Sequence, residues 1–162
     1  MQNYNLKLYL EINNSNFIFY VVENNENEEL KIAHKLDVCL EEFKNNRNYS
    51  FIKCDIANRK ISKIISKFKP DGIFNLAAET HVDRSIDNPE NFIKSNIFGV
   101  YNILESFKNY SKKNKKTKLI HISTDEVYGD ILFGRTKEDY PYNPSSPYAA
   151  SKASSDHLVS SY

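Results

Sequence analysis

Short apolar segments alternate with helical repeats along the 162-residue chain. Over 6–12, Leu or Ile occupies every second position, which predicts a half-buried strand. The continuously apolar run over 17–22 predicts a strand that is covered on both faces, and the segment 72–78 predicts another buried strand. Two further strands are predicted over 49–56 and 118–123.

Apolar residues at steps of three and four predict helices between these strands. The first covers about 30–43, and the second covers 61–68 and ends before Pro70. A long helix is predicted over 90–110, and a last helix starts near Tyr148. Strands that alternate with helices of this length indicate an α/β fold with a Rossmann-like, doubly wound parallel sheet and right-handed crossovers.

Ligands of such sheets bind at the carboxyl ends of the strands, so the residues that directly follow each strand are the informative ones. Polar clusters stand at these places, in "CDI", "AAETHVDRS" and "STDEVYG". The last cluster sets Asp125 beside Glu126. Their mutual repulsion splits the two pKa values, which suits a site that needs one acid and one base. The alternative is that Asp125 caps a turn while Glu126 points to solvent.

Tyr148 and Lys152 stand four residues apart and share one face of the last predicted helix. A lysine ammonium beside a phenol stabilises the phenolate and lowers the pKa of the tyrosine toward that of a general base. An exposed helix pair is the alternative. Tyr49 and Lys53 have the same spacing, but residues four apart on a strand are separated by about 13 Å, so we assign them no catalytic role.

Composition excludes several classes of function. A net charge of +1 gives no field for nucleic acid or an acidic membrane, and the basic run over 112–118 lacks the aromatics of a single-strand groove. No apolar run approaches the roughly 18 residues of a membrane span, and no signal-peptide pattern opens the chain. Cys39 and Cys54 form no Cys-x-x-Cys pair, and the four His residues lack metal-ligand spacing. We expect a cytoplasmic protein without metal, nucleic acid or membrane partners.

Three segments together resemble a known enzyme family: "LAAETHVDRSIDNPENFIKSNIFG", "HISTDEVYGD" and "PSSPYAASKASSDHLV". They are similar to nucleotide-sugar 4,6-dehydratases of the extended short-chain dehydrogenase/reductase superfamily, most closely to those that act on dTDP-glucose. The resemblance runs nearly without gaps over 49–162. Its specific part is Thr-Asp-Glu-Val-Tyr-Gly, since related epimerases keep a Ser or Thr there but generally lack the acid pair.

The resemblance implies a hydro-lyase that converts dTDP-glucose or UDP-glucose into a 4-keto-6-deoxy sugar and uses NAD as cofactor. Tyr148 would take the proton of the C4 hydroxyl, Glu126 would remove a proton from C5, and Asp125 would protonate the departing C6 hydroxyl. Lys152 would lower the pKa of Tyr148 and hold the nicotinamide ribose, while Thr124 would hydrogen-bond the C4 oxygen.

The resemblance also implies a cofactor path, in which the small Ala77 and Ala78 permit a close backbone approach and Asp55 and Ile56 lie near the adenine. A homodimer is implied as well. The implied cofactor residues are Asp55, Ile56, Leu76, Ala77, Ala78, Glu79, Thr80, Ser95, Tyr148 and Lys152, and the implied substrate residues are Thr80, His81 and Thr124.

The first part of the chain departs from the family. It has no glycine before Gly72, where the family has a Gly-rich turn for the pyrophosphate, and His34 replaces the Asp that holds the adenosine ribose. We therefore expect one NAD(P)-binding Rossmann-like domain over 1–162, divergent over 1–48 and dehydratase-like over 49–162, without the family's C-terminal sugar-nucleotide domain. Two hypotheses follow: a catalytic core that alone binds NAD weakly and turns over no sugar nucleotide, or a non-enzymatic remnant that serves as a binding or interaction module.

Overall fold

The computed structural model describes residues 4–12, 15–23, 49–52 and 54–162. Within these ranges five strands form one sheet in the order β3-β1-β2-β4-β5. The strands are β1 (Tyr4–Ile12), β2 (Ser15–Glu23), β3 (Tyr49–Phe51), β4 (Gly72–Leu76) and β5 (Lys118–His121). All five predicted strands are present, although β3, β4 and β5 end before the predicted boundaries.

The sheet is mixed, whereas the sequence predicts a wholly parallel one. β2, β4 and β5 are parallel, with Phe17 opposite Gly72 and Gly72 opposite Lys118. β1 pairs antiparallel with both β2 and β3. The reason for the β1–β2 pairing is the connection, because two residues suffice for a hairpin but not for a parallel crossover. The parallel half of the sheet carries the strand ends that matter for the site.

The predicted helices over 61–68, over 90–110 and from residue 148 are confirmed, and the one over 30–43 lies outside the described residues. Two short helices, one over Val82–Asp87 and a 3₁₀ helix over Asp125–Tyr128, are additions to the prediction. The helices are α1 (Ile61–Phe68), α2 (Val82–Asp87), α3 (Glu90–Phe92) continued by a π-helical segment (Ile93–Gly99) and α4 (Val100–Ser111), a 3₁₀ helix (Asp125–Tyr128) and α5 (Pro147–Ser161).

One apolar core joins α1, β4 and α4. Its residues are Ile56, Ile61, Ile65, Ile73, Ala77 and Ile103, and none is more than 2% exposed. Gly99 lies so close to Ile56 that a Cβ on it would stand 2.6 Å from the Ile56 side chain, which explains why this position has no side chain. The core fixes the carboxyl end of β4, from which the polar segment over 77–81 continues.

Helix α5 begins at a conventional cap and buries an unusually polar face. The Ser146 hydroxyl accepts from the Ala149 amide at 3.0 Å, and Pro147 occupies the first helical turn. Ser151, Lys152 and Ser155 are all buried. Buried polar groups require partners, so this face identifies α5 as the element around which a site is built.

Candidate active site

Tyr148 is 6% exposed and is held from three sides. Its amide donates to the Ser85 hydroxyl on α2 at 3.0 Å, and its carbonyl accepts from the Ser151 hydroxyl at 2.7 Å. Its ring meets Phe92 edge-on, with the centroids 6.3 Å apart. Backbone and ring are thus both fixed before any ligand is considered.

The acid pair stands in the first turn of the 3₁₀ helix that follows β5. Thr124 caps this helix, because its hydroxyl accepts from the Glu126 amide at 3.3 Å. The same hydroxyl donates to Asp125 Oδ1 at 3.4 Å. Both carboxylate residues are exposed. The capping role that the sequence offered to Asp125 therefore belongs to Thr124.

Tyr148, Thr124 and the acid pair form one cluster. Burial raises the pKa of Tyr148, a hydrogen bond with the Thr124 side chain lowers it, and the charges of Glu126 and Asp125 raise it further. Three of these four predicted catalytic residues therefore act electrostatically on the fourth. The structure brings together a hydroxyl, a phenol and two carboxylates, as the sequence predicts.

The expected lowering of the pKa of Tyr148 by Lys152 is wrong for this structure. Lys152 is 3% exposed, its ammonium donates to the Ile122 carbonyl at 2.5 Å, and it is not among the groups that shift the pKa of Tyr148. Burial lowers the pKa of Lys152, and the Asp156 carboxylate raises it in part. Lys152 therefore joins α5 to the end of β5, and burial determines the direction of the pKa shift of Tyr148.

A cleft of about 700 Å³ opens beside the cluster. Its lining includes the acid pair together with Arg135, Lys137 and Tyr142. The cleft thus combines proton-transfer groups with positive charge, and its size suits a small polar ligand.

The predicted cofactor residues lie partly in the core and partly at the surface. Ile56 and Ala77 belong to the core, so the side chain of Ile56 is packed among apolar residues. The Asp55 carboxylate accepts from the Ala57 amide at 2.8 Å. Of the remaining predicted residues, Glu79 and Ser95 are buried, Ala78 is half-buried, and Leu76, Thr80 and His81 are exposed. Tyr49 lies in β3 as expected, while Lys53 and His34 lie outside the described residues.

Asn96, which the sequence did not single out, ties the predicted cofactor segment to α5. Its Oδ1 accepts from the Glu79 amide at 2.8 Å, and its Nδ2 donates to the Glu79 carbonyl at 3.0 Å and to the Ser151 hydroxyl at 2.8 Å. Ser151 in turn contacts the Tyr148 carbonyl. The segment after β4 and the tyrosine are thereby connected through one buried amide in the π-helical segment.

Asp156 is the second residue that the sequence did not reveal. It accepts from the Ser123 hydroxyl and, at 3.2 Å, from the Tyr142 hydroxyl, while His121 Nε2 lies 3.5 Å from its Oδ1. Burial alone would raise the pKa of Asp156, but these hydrogen bonds and the His121 contact hold it below its usual range. The available signal was spacing, since Asp156 follows Lys152 by the same four residues that separate Lys152 from Tyr148.

The described ranges bear on two further features, metal clusters and membrane-spanning helices. Within them, no group of three or more His, Cys, Asp or Glu residues is placed to hold a metal ion. None of the described helices combines the length and apolarity needed to cross a membrane.

Comparison with known sequences gives extensive matches. The profile of the family described as GDP-mannose 4,6 dehydratase matches residues 8–162. The dTDP-glucose 4,6-dehydratase of Haemophilus influenzae is 48% identical over 131 residues, a match that covers 76% of this chain and 39% of the relative. That of Neisseria meningitidis serogroup B is 46% identical over 131 residues, covering 74% and 36%. The chain thus spans less than two-fifths of the length of these curated relatives.

Solved structures give the same picture for the fold. The dTDP-glucose 4,6-dehydratase of Streptomyces venezuelae, solved with NAD bound, aligns with a TM-score of 0.61 and 37% identity over 67% of this chain and 32% of its own. The UDP-glucose 4-epimerase of Thermus thermophilus, in complex with NAD, aligns with a TM-score of 0.61 and 31% identity over 67% and 35%. The predicted Rossmann-like α/β class is confirmed.

Proposed function

The chain belongs to the GDP-mannose 4,6 dehydratase family, and from that membership we propose that it carries the acid, base and redox residues of a nucleotide-sugar 4,6-dehydratase acting on dTDP-glucose. One observation carries the proposal: the Thr124 side chain and the charges of Glu126 and Asp125 all lie close enough to the Tyr148 phenol to shift its pKa. An oxidation followed by a water elimination needs these groups at a single sugar ring.

We assign the first proton transfer to Tyr148. Its phenolate takes the proton of the C4 hydroxyl as that carbon is oxidised. The Thr124 hydroxyl stabilises the phenolate when its single hydrogen turns from Asp125 Oδ1 to the phenol oxygen, consistent with its lowering effect on the pKa of Tyr148. A raised pKa leaves few molecules with the phenolate at neutral pH, so the Thr124 hydrogen bond matters for this step.

The residues present fit an NAD site on their donor chemistry. Lys152 is buried on the same face of α5 as Tyr148, and only one of its three N–H donors is directed at Ile122. Ala77 and Ala78 supply small side chains at the carboxyl end of β4, where ligands of such sheets bind. Bound NAD would supply the acceptor for the C4 hydride and its later donor to C6. We assign Lys152 to the nicotinamide ribose.

We assign the elimination to the acid pair. The C4 ketone acidifies C5, from which Glu126 removes a proton, while Asp125 protonates the C6 hydroxyl so that it leaves as water. Reduction at C6 and return of a proton from Glu126 to C5 complete the 4-keto-6-deoxy sugar. The balance is the loss of one water, with no net oxidation.

The proposal extends to the nucleotide diphosphate of the substrate, which would bind in the cleft. Arg135 and Lys137 line the cleft beside the acid pair and supply positive charge for a diphosphate. dTDP-glucose is favoured over UDP-glucose because the curated relatives are dTDP-glucose 4,6-dehydratases. Competition between the two nucleotide sugars in the assay below distinguishes them.

We further propose a homodimer in the cytoplasm. Phe98 and Tyr101, on the long helix, are 58% and 44% exposed, as expected of an apolar surface that a second subunit covers. The two cysteines of the sequence, Cys39 and Cys54, form no Cys-x-x-Cys pair, which suits a reducing compartment. Sedimentation analysis of the purified chain tests the dimer, and a purely monomeric chain at high concentration would contradict it.

The experiment replaces the matching segment of the Haemophilus influenzae relative with residues 49–162 of this chain. We expect this chimera to release water from dTDP-glucose, as measured by mass spectrometry. Asp125→Asn and Glu126→Gln should slow water release while C4 oxidation, seen as transient NADH absorbance, continues. Glu138→Gln, which removes another carboxylate of the cleft, is the matched control. Water release at the parental rate in both acid-pair variants would refute the assignment.

A further inference from the structure

Helix α5 directs three polar side chains toward the segment that follows β5. Tyr148, Lys152 and Asp156 are four residues apart and therefore lie on one face, with a rise of about 6 Å between neighbours. Tyr148 bonds the Thr124 side chain, Lys152 bonds the Ile122 carbonyl, and Asp156 contacts both Ser123 and His121. Helix α5 thus contacts each of the residues 121–124.

The hydrogen bonds around His121 define its tautomer. Asn75 is 1% exposed, and its Oδ1 accepts from the Ala77 amide at 3.3 Å, so its Nδ2 is the atom that faces His121 Nδ1 at 2.9 Å. An amide nitrogen is a donor, so Nδ1 is the acceptor, and the neutral ring carries its proton on Nε2. That proton is directed at Asp156 Oδ1, 3.5 Å away.

The contact between His121 and Asp156 is buried, so few other acceptors can reach His121 Nε2. The His121 side chain is 5% exposed and that of Asp156 is 11% exposed. Among the described residues, His121 Nε2 has no partner that meets hydrogen-bond geometry, and Asp156 Oδ1 at 3.5 Å is the acceptor that faces it. The carboxylate of Asp156 is therefore the acceptor that the inferred tautomer requires.

We infer that Asp156 is a positioning residue, which selects the Nε2–H tautomer of His121 and holds residues 121–124 against α5, so that Thr124 stays on Tyr148. The inference rests on the proposed function for its catalytic meaning. Its structural content does not, because the contacts exist in the chain itself. Asp156 also accepts from Tyr142, whose ring packs on Tyr128 with the centroids 5.4 Å apart, and so supports the wall of the cleft.

Only a carboxylate meets these demands. Asp156 faces the Ser123 hydroxyl, the Tyr142 hydroxyl and His121 Nε2–H, which are three donors, with the Lys152 ammonium nearby. A carboxylate accepts about four hydrogen bonds and donates none, whereas an amide turns one of its two groups into a donor. Asn at position 156 could direct its N–H at His121 Nε2–H, which His121 would relieve by moving its proton to Nδ1, against Asn75. It could instead direct its N–H at the Ser123 and Tyr142 hydroxyls, which would then have to turn and accept, so that the Ser123 donation is lost.

The test is nuclear magnetic resonance of the full 162-residue chain with ¹⁵N-labelled histidine and ¹³Cζ-labelled tyrosine. Wild-type His121 should show the Nε2–H pattern. Asp156→Asn should convert it to Nδ1–H or to a mixture, and should move the Tyr148 ¹³Cζ signal. Asp139→Asn, which removes an exposed carboxylate from the preceding loop, should change neither. A folded Asp156→Asn chain with both signals unchanged would overturn the inference.

A second variant decides the matter where Asp156→Asn does not fold. Ser123→Ala keeps the carboxylate and removes a single donor to it. Because this donor holds the residue next to Thr124, the Tyr148 ¹³Cζ signal should still move, while the His121 tautomer stays Nε2–H. An unchanged Tyr148 signal in folded Ser123→Ala would refute the positioning role. Neither readout requires turnover, so failure of the proposed dehydratase reaction and failure of this inference are distinguishable.

Discussion

At the scale of single residues, Tyr148 is controlled by opposing influences. Burial and the two neighbouring carboxylates favour its neutral form, whereas the Thr124 hydroxyl favours the phenolate. Apart from burial, each influence comes from one side chain, Thr124, Glu126 or Asp125. Substituting each of these side chains should therefore move the pKa of Tyr148 in a known direction.

Thr124→Val should raise the pKa of Tyr148, because it removes the hydrogen bond that stabilises the phenolate. Glu126→Gln should lower it, because it removes a negative charge that opposes ionisation. ¹³Cζ-tyrosine titration of the full chain measures both shifts. Thr124→Ser keeps the hydroxyl and should restore the wild-type midpoint. Shifts of the same sign in Thr124→Val and Glu126→Gln would contradict this electrostatic account.

The sequence was a good guide to residues that belong to a spacing or a motif. It was a poor guide to the residues that hydrogen-bond to them. The adjacent carboxylates pointed to residues that lie near Tyr148, whereas the Tyr148/Lys152 spacing did not reveal that Lys152 bonds the Ile122 carbonyl. Ser85 and Asn96 were missed because each meets its partner far away in the chain, 63 residues in the case of Ser85 and Tyr148. Buried polar contacts of this kind have no regular spacing along a sequence, so only the folded structure reveals them.

At the scale of elements, the 3₁₀ helix that carries the acid pair is closed by Gly129. This residue has φ of 77°, in the left-handed region, and the Val127 carbonyl two residues before it accepts from the Asn143 amide at 3.0 Å. A Cβ on Gly129 would stand 2.0 Å from the Asn143 carbonyl oxygen. The turn therefore requires glycine for both its conformation and its packing.

Gly129→Ala and Gly134→Ala separate these two requirements. Gly134 also has positive φ, 82°, but a Cβ there would meet nothing within 4 Å. Gly134→Ala should cost about 1–2 kcal/mol for the left-handed conformation, and Gly129→Ala about 1–3 kcal/mol more for the clash with backbone. Urea unfolding of both variants measures the difference. Equal losses of unfolding free energy would show that the Asn143 contact relaxes freely.

The contact between α5 and the end of β5 should be sensitive to acid. The pKa of Asp156 is lower in the folded chain than its ordinary value of 3.8, so the unfolded chain binds this proton first as the pH falls. Its stabilising contribution is present above about pH 3.8 and is lost as the pH falls through the folded pKa.

Asp156→Asn should therefore be less stable than wild type at neutral pH, and the gap in unfolding free energy should narrow on acidification below the ordinary carboxyl pKa. Urea unfolding over a pH series measures the gap, and Asp139→Asn should show a small, constant one. A gap that stays the same at every pH would mean that the folded-state pKa of Asp156 is not depressed.

Most elements followed from periodicity, and the exceptions have physical reasons. α1 and the long helix repeat apolar residues at helical steps, so their positions were predictable. The antiparallel direction of β1 was not, because alternation reports burial and says nothing of strand direction. α2 and the 3₁₀ helix span six and four residues, too few to establish a periodic pattern.

At the scale of the whole molecule, the proposed catalytic cluster is present in the described residues, whereas the sequence offers no glycine-rich turn for a pyrophosphate ahead of it. The proton-transfer groups are assembled, yet the first 71 residues contain no glycine for a pyrophosphate-binding turn. Each missing charge-assisted hydrogen bond weakens binding by about 1.5–3 kcal/mol. The 162-residue chain should therefore bind NAD much more weakly than the Haemophilus influenzae relative and should not turn over dTDP-glucose alone.

Calorimetric titration of NAD into both proteins tests this expectation. The relative should give a saturating isotherm under conditions in which the chain gives little heat. A stoichiometric, micromolar isotherm for the chain would show that another segment replaces the glycine-rich turn.

The central claim is that residues 49–162 transfer the C4 hydrogen of the sugar to C6 of the same molecule. The most direct measurement gives the chimera dTDP-glucose deuterated at C4 and locates the label in the product by nuclear magnetic resonance and mass spectrometry. The account predicts water loss with deuterium at C6, abolished by Tyr148→Phe and retained in Tyr49→Phe. Water loss with no deuterium at C6, or deuterium at C6 that persists in Tyr148→Phe, would contradict it.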